Sequence, residues 1–170
     1  MIKSTLSVGD NAPQFEYLTQ NSNEEILLLF MGRVARPNAN EKSKGLVQVL
    51  NKTALKGNVK ICLIWDNNEE EVQEFKLTIP GLAELDGVDD FYDLDGSVQD
   101  NYKSLMYNLN VNSGNESAEE NAKFYADATA TDDGVDRGFP DYLIKDGKII
   151  WVQENQRFYE PLLILRGWRP

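Results

Sequence analysis

Every position from Ile26 to Met31 is apolar, the pattern of a strand covered on both faces and not of one half exposed to water. The loop Gly32-Arg33-Val34-Ala35-Arg36-Pro37-Asn38 follows, and Pro37 suits a first helical turn. Beyond it Ala39, Leu46, Val47 and Leu50 recur at helical spacing, with Glu41, Lys42, Lys44 and Gln48 assigned to the opposite, solvated side. Gly45 costs this helix roughly 1 kcal/mol relative to alanine. The basic residue and glycine at Lys56-Gly57 mark its expected end. Val59 to Trp65 is a second buried strand, so the segment predicts a βαβ crossover. The junction of such a strand with its helix is a favoured place for reactive groups, because the helix start offers unpaired N–H groups and positive potential.

The same patterning predicts the other elements. Phe15 and Tyr17 alternate with polar neighbours, as in a short edge strand or extended arm, and Asn21-Ser22-Asn23 marks a turn. Asn68 caps a helix whose Glu71 can reach back, with Val72, Phe75, Leu77 and Ile79 as its core face and Pro80-Gly81 as its stop. Asp95-Gly96 turns into a further helix that aligns Val98, Tyr102 and Leu105. The acidic residues here do not form a calcium loop: with Gly96 at the glycine position, Phe91 and Tyr102 would be the first and last ligands. Residues 107–136 form a polar insertion, with a capping box at Ser117 to Glu120 opening a short helix and an acidic loop from Thr129 to Asp136. Asp146-Gly147 between two apolar-rich runs is a hairpin turn, and a last helix over Pro161 to Leu165 is expected to pack on the sheet.

Composition narrows the function. With 170 residues and 41% hydrophobic residues, one domain spanning residues 1–170 is expected. A net charge of −11 argues against nucleic acid and anionic membranes as partners. The start of the chain lacks the apolar core of a signal peptide and no run approaches the roughly 18 residues of a membrane span, so a cytoplasmic protein is expected. Histidine is absent and Cys62 is the only cysteine, which excludes disulfides within the sequence, CxxC pairs and histidine-assisted nucleophiles. No metal and no cofactor is expected. Cys62 lies within a predicted central strand, where a thiol is a small core residue.

The order of these elements resembles a thioredoxin-like domain, and three motifs resemble the peroxiredoxin (AhpC/TSA) family. Val8-Gly9-Asp10-Asn11-Ala12-Pro13-Gln14-Phe15 is similar to that family's V-G-D-x-A-P-x-F opening. Asp93-Leu94-Asp95-Gly96-Ser97-Val98 with Tyr102 is similar to its D-x-D-G-x-V-x-x-x-Y segment. Gly138-Phe139-Pro140, ahead of Tyr142-Leu143-Ile144 and Asp146-Gly147-Lys148-Ile149, resembles the strand that carries the cis-proline of thioredoxin folds and the hairpin after it. The resemblance implies an α/β fold, a three-layer α/β/α arrangement around a central mixed sheet.

It also locates a gap. The family places a threonine or cysteine, two residues and then the reactive cysteine at this strand–helix junction; set on Pro37, those two positions are Arg36 and Ala39, and neither can become a thiolate. The resemblance therefore implies a redox-inactive binding or regulatory module. Its groove would lie between the loop carrying Arg33, Arg36 and Pro37 and the segment Phe139-Pro140, and it would suit a small anion or a partner protein's carboxylate. Three alternatives stay open at this stage: a peroxiredoxin-like oxidoreductase whose reactive cysteine was replaced by Ala39 or lies elsewhere, a hydrolase using paired carboxylates, and a structural subunit, including a homo-oligomer.

Overall fold

The computed structural model describes residues 6–52, 59–103 and 140–153. In chain order these form α1 (Glu16–Gln20), β1 (Glu25–Gly32), α2 (Pro37–Lys52), β2 (Val59–Trp65), α3 (Glu69–Thr78), β3 (Val88–Tyr92), α4 (Ser97–Lys103), β4 (Asp141–Lys145) and β5 (Lys148–Gln153). The strands make one sheet in the order β3-β2-β1-β4-β5. β1, β2 and β3 run parallel, while β4 and β5 are antiparallel to their neighbours, so the sheet is mixed as expected.

Strand alternation sorts the core into two layers. Leu27, Leu29, Met31, Ile61, Leu63 and Trp65 face Ala39, Leu46 and Val49 of α2 and Val72 and Phe75 of α3. On the other side Ile26, Leu28, Phe30, Cys62 and Ile64 face Tyr17 and Leu18 of α1 and Val98 and Tyr102 of α4. Both faces of β1 and β2 are thus covered, which is why their sequences are apolar at nearly every position. Around Asp146-Gly147 the hairpin has the expected turn, with positive φ at both residues, 51° and 73°.

Two expectations need correction here, and one strand was not foreseen. Phe15 and Tyr17 are not paired as a strand: Phe15 is the extended N-cap of α1 and its carbonyl accepts the Thr19 N–H at 3.0 Å. The extended arm lies earlier in the chain, where the N–H groups of Gly9 and Ala12 donate to Ile149 and Gly147 and cover the edge of β5. Leu77, expected in the core, is 77% exposed, while its neighbour Lys76 is buried and donates to Asp90 at 2.8 Å. The acidic segment Val88–Tyr92 is an edge strand that the patterning did not reveal. Its two carboxylates are absorbed by neighbours, Asp89 by the Tyr17 hydroxyl at 2.7 Å and Asp90 by Trp65 Nε1 and Lys76 Nζ at 2.8 Å each. The expected end of α2 at Lys56-Gly57, the insertion at 107–136, Leu105 and the last helix lie outside the described residues.

Candidate functional site

The parallel strands end at one edge of the sheet, and the candidate groove is built there. Loop residues 33–36 connect β1 to α2. The Val34 N–H donates to Asn67 Oδ1 at 2.9 Å, and Ala35 takes a left-handed φ of 62°. The Ala35 carbonyl accepts from Asn40 Nδ2 at 3.1 Å and the Arg36 carbonyl from the Asn40 N–H at 2.9 Å, so Asn40 fastens the last two loop residues to the first turn of α2. Arg33 is exposed and Arg36 half-buried at the helix start, which Pro37 opens. Ala39, two residues into the helix, is fully buried in the core layer beneath it. A methyl group packed on β1 therefore occupies the position where the resemblance implied a thiol.

The other wall is only partly described. Pro140 is buried and Phe139 lies outside the described residues, as does the peptide bond between them. The next residue, Asp141, ties β4 to the α2 side: its Oδ1 accepts from Lys42 Nζ at 2.8 Å and from the Phe30 N–H at 2.9 Å. Lys42 Nζ also donates to the Phe30 carbonyl at 2.8 Å. Burial pushes the Asp141 carboxyl above its usual range, and the Lys42 ammonium and the Phe30 N–H oppose that push.

The structure corrects the placement of Lys42 on the solvated face: it is 4% exposed. The available signal was positional, since Ala39, Lys42, Leu46 and Val49 follow one stripe of the helix. Beside it Asn38 Nδ2 donates to the carbonyls of Phe30 at 3.0 Å and Met31 at 2.9 Å, where the register of β1 against β2 shifts. Asn38 Oδ1 and Ser43 Oγ are buried without a hydrogen-bond partner among the described residues.

Sequence reasoning also passed over a row of charges. The Asp66 N–H donates to the Gly32 carbonyl at 3.0 Å and the Asp93 N–H to the Trp65 carbonyl at 2.8 Å. Arg33, Asp66 and Asp93, the first residues beyond three adjacent strands, consequently stand in sheet order along the carboxyl edge. Burial, then repulsion from Asp93, raises the Asp66 carboxyl to about 6, and Arg33 opposes the rise. Asp93 caps α4, with Oδ1 accepting from the Val98 N–H at 3.1 Å and Oδ2 from the Gln99 N–H at 2.8 Å. Its own carboxyl is raised by burial in spite of those bonds.

Cys62 is far from this chemistry in kind: it is fully buried at mid-β2, and burial pushes its thiol well up, with Asp89 and Asp90 adding to the effect. Among the described residues, no group of three or more acidic or cysteine side chains could hold a metal ion, and no helix is long and apolar enough to cross a membrane.

No protein-family model and no curated protein matches the sequence. Solved structures do match. Peroxiredoxin 5 of Alvinella pompejana is similar over 96% of this chain and 99% of its own, with a TM-score of 0.64 at 15% identity. The yeast mitochondrial 1-Cys peroxiredoxin is similar over 95% of this chain and 76% of its own, with a TM-score of 0.56 at 13% identity. A thioredoxin-like protein from Parabacteroides distasonis is similar over 95% and 96%, with a TM-score of 0.51 at 18% identity. The mixed sheet, its two helical layers and these likenesses together establish a thioredoxin-like fold of the peroxiredoxin type, in a sequence whose single cysteine lies on a central strand and not at the start of α2.

Proposed function

We propose that the protein is a redox-inactive, cytoplasmic relative of the peroxiredoxins that works as a binding or regulatory module, taking a small anion or a partner's carboxylate at the start of α2. The observation that carries this reading is Ala39, fully buried in the first turn of α2. Peroxide reduction by this fold requires a thiolate at that turn to attack the O–O bond, and no side chain there can supply one. What supports anion binding is the positive end of a 16-residue helix, with Arg33 and Arg36 beside it. In a chain of net charge −11, a local positive end stands out against its surroundings.

Two measurements test the reading. Purified protein should consume hydrogen peroxide no faster than buffer containing the same reductant, and Cys62→Ala should leave that rate unchanged. Sulfate, followed through the backbone amide resonances of residues 33–40, should bind the wild type and bind at least about tenfold more weakly to Arg33→Ala plus Arg36→Ala, the loss of two charge-assisted contacts. Peroxide consumption above background, or sulfate binding that survives the double substitution, would remove the reading.

A further inference from the structure

The two edges of the sheet are finished differently. At β5 the N-terminal arm covers the edge, with the Gly9 and Ala12 N–H groups donating to Ile149 and Gly147 and the Ile149 N–H donating to Asp10. At the opposite edge β3 pairs with β2 alone, in a register without a shift, and among the described residues no backbone group bonds to its outer side. The pairing decides which groups are left over. The Asp93 N–H donates to the Trp65 carbonyl, and backbone groups alternate sides along a strand, so those of Asp89 and Phe91 also turn toward β2. The N–H and C=O groups of Val88, Asp90 and Tyr92 therefore point outward, on a strand whose residues are all half-buried or exposed. The strand has no lysine, proline or bulge to guard this edge. Its aspartates leave the edge clear, because Tyr17 holds Asp89 on one face of the sheet and Trp65 and Lys76 hold Asp90 on the other.

We infer that the outer edge of β3 is a docking site for an extended, basic segment of a partner protein, which joins the sheet as a further strand. Charge selects this occupant. Between Lys76 and Lys103 the sequence has no lysine or arginine, Lys76 is engaged by Asp90, and Glu84, Asp86, Asp89 and Asp95 are exposed along the strand and beyond both its ends. A second copy would set this acidic edge against itself, with like charges opposed. A segment with basic residues at both ends and apolar residues between them instead meets carboxylates at its ends and the half-buried Val88, Phe91 and Tyr92 along its length. Main-chain bonds supply the affinity and these side chains the selectivity. The site is separate from the groove at α2 and does not depend on it.

The probe is a synthetic peptide with lysine at both ends and valine alternating with threonine between them, added to the full chain and followed by amide hydrogen exchange. In the free protein the N–H groups of Val88, Asp90 and Tyr92 should exchange fast and those of Asp89 and Phe91 slowly. The peptide should slow the first set by at least about tenfold and leave the second nearly unchanged. The same peptide methylated at every backbone nitrogen between the lysines keeps its charge, loses its donors and should give no protection. Glu84→Lys plus Asp86→Lys, which reverses the charge beside the strand without touching it, should weaken peptide binding by at least about tenfold. Absence of protection at Val88, Asp90 and Tyr92, or equal binding of the methylated peptide, overturns strand addition. Binding that ignores the charge reversal overturns the basic partner, and so does protection that grows with protein concentration without peptide, which would assign the edge to a second copy.

Discussion

Two pairings of a basic residue with an aspartate flank the start of α2, and they differ in depth. Lys42 and Asp141 are closed off from water, 2.8 Å apart, with the Phe30 peptide groups supplying further hydrogen bonds to both partners. Arg33 and Asp66 stand at the rim, one exposed and the other half-buried, and they influence each other without meeting as an ion pair. The inner pair fixes geometry: it joins α2, the end of β1 and the beginning of β4 in one connected set of bonds. The rim pair remains responsive, since a charge that water and ligands can reach is one whose partner can change. Burial therefore separates a structural fastening from a pair of charges that water can reach.

The inner pair should therefore show the largest response to substitution. Lys42→Ala or Asp141→Ala strands its partner as an unpaired buried charge, and each should lose about 3 to 5 kcal/mol in urea unfolding. Lys42→Met with Asp141→Leu removes both charges and should recover most of that loss, because two desolvation costs disappear together. If the double variant is no more stable than the singles, the two side chains are not acting as a pair, and the contrast between inner and rim pairings fails.

How much of this was legible in the sequence follows the same division. Strands covered on both faces announce themselves through unbroken apolar runs, and β1 and β2 lie where Ile26–Met31 and Val59–Trp65 placed them. Asp146-Gly147 fixed the hairpin because few other turns tolerate φ > 0 at two successive residues. The helix cap at Asn68 was also readable: its Oδ1 accepts the Glu71 N–H at 2.9 Å. The short edge strand β3 was hidden because its aspartates are satisfied by residues distant in sequence, Tyr17 by 72 positions and Trp65 by 25. Lys42 was misplaced for a related reason: a lysine in the buried stripe of a helix reads as solvated until its partner is known, and Asp141 lies 99 positions away. Of the candidate site, Arg36 and Ala39 could be placed from the motif alone, whereas the row of Arg33, Asp66 and Asp93 needed the strand order.

Asp93 separates the capping role of the rim from its electrostatic role. Asp93→Ala deprives α4 of acceptors for the Val98 and Gln99 N–H groups and should cost about 2 kcal/mol, the upper end for an N-cap because the site is buried. Asp93→Asn keeps an acceptor at the cap while removing the charge that repels Asp66. It should lose less stability than the alanine variant and lower the Asp66 titration midpoint, read from the carboxyl resonance. An unchanged midpoint would separate the two aspartates and shorten the row to Arg33 and Asp66.

The smallest expected effect lies with Asp66 itself, and its sign is informative. A carboxyl held at about 6 in the folded chain, against about 3.9 when unfolded, binds its proton more tightly in the native state. The stability this contributes is fully present below the unfolded value and is lost as pH rises from about 4 to about 6, with no further change above that from this group. Partial access to water limits the loss to about 1 kcal/mol, well below the value expected of a dry site. Asp66→Asn should remove this segment of the pH–stability curve while leaving the response of the Lys42–Asp141 pair intact, since the inner bonds do not pass through Asp66. Unfolding curves of the two proteins at pH 4, 5, 6 and 7 would then converge at the acid end and diverge toward neutrality, with the variant the more stable. Divergence in the opposite direction would mean that ionised Asp66 is held by Arg33 as firmly as Asp141 is by Lys42, and the rim would then be a second fastening, the contrast in depth notwithstanding.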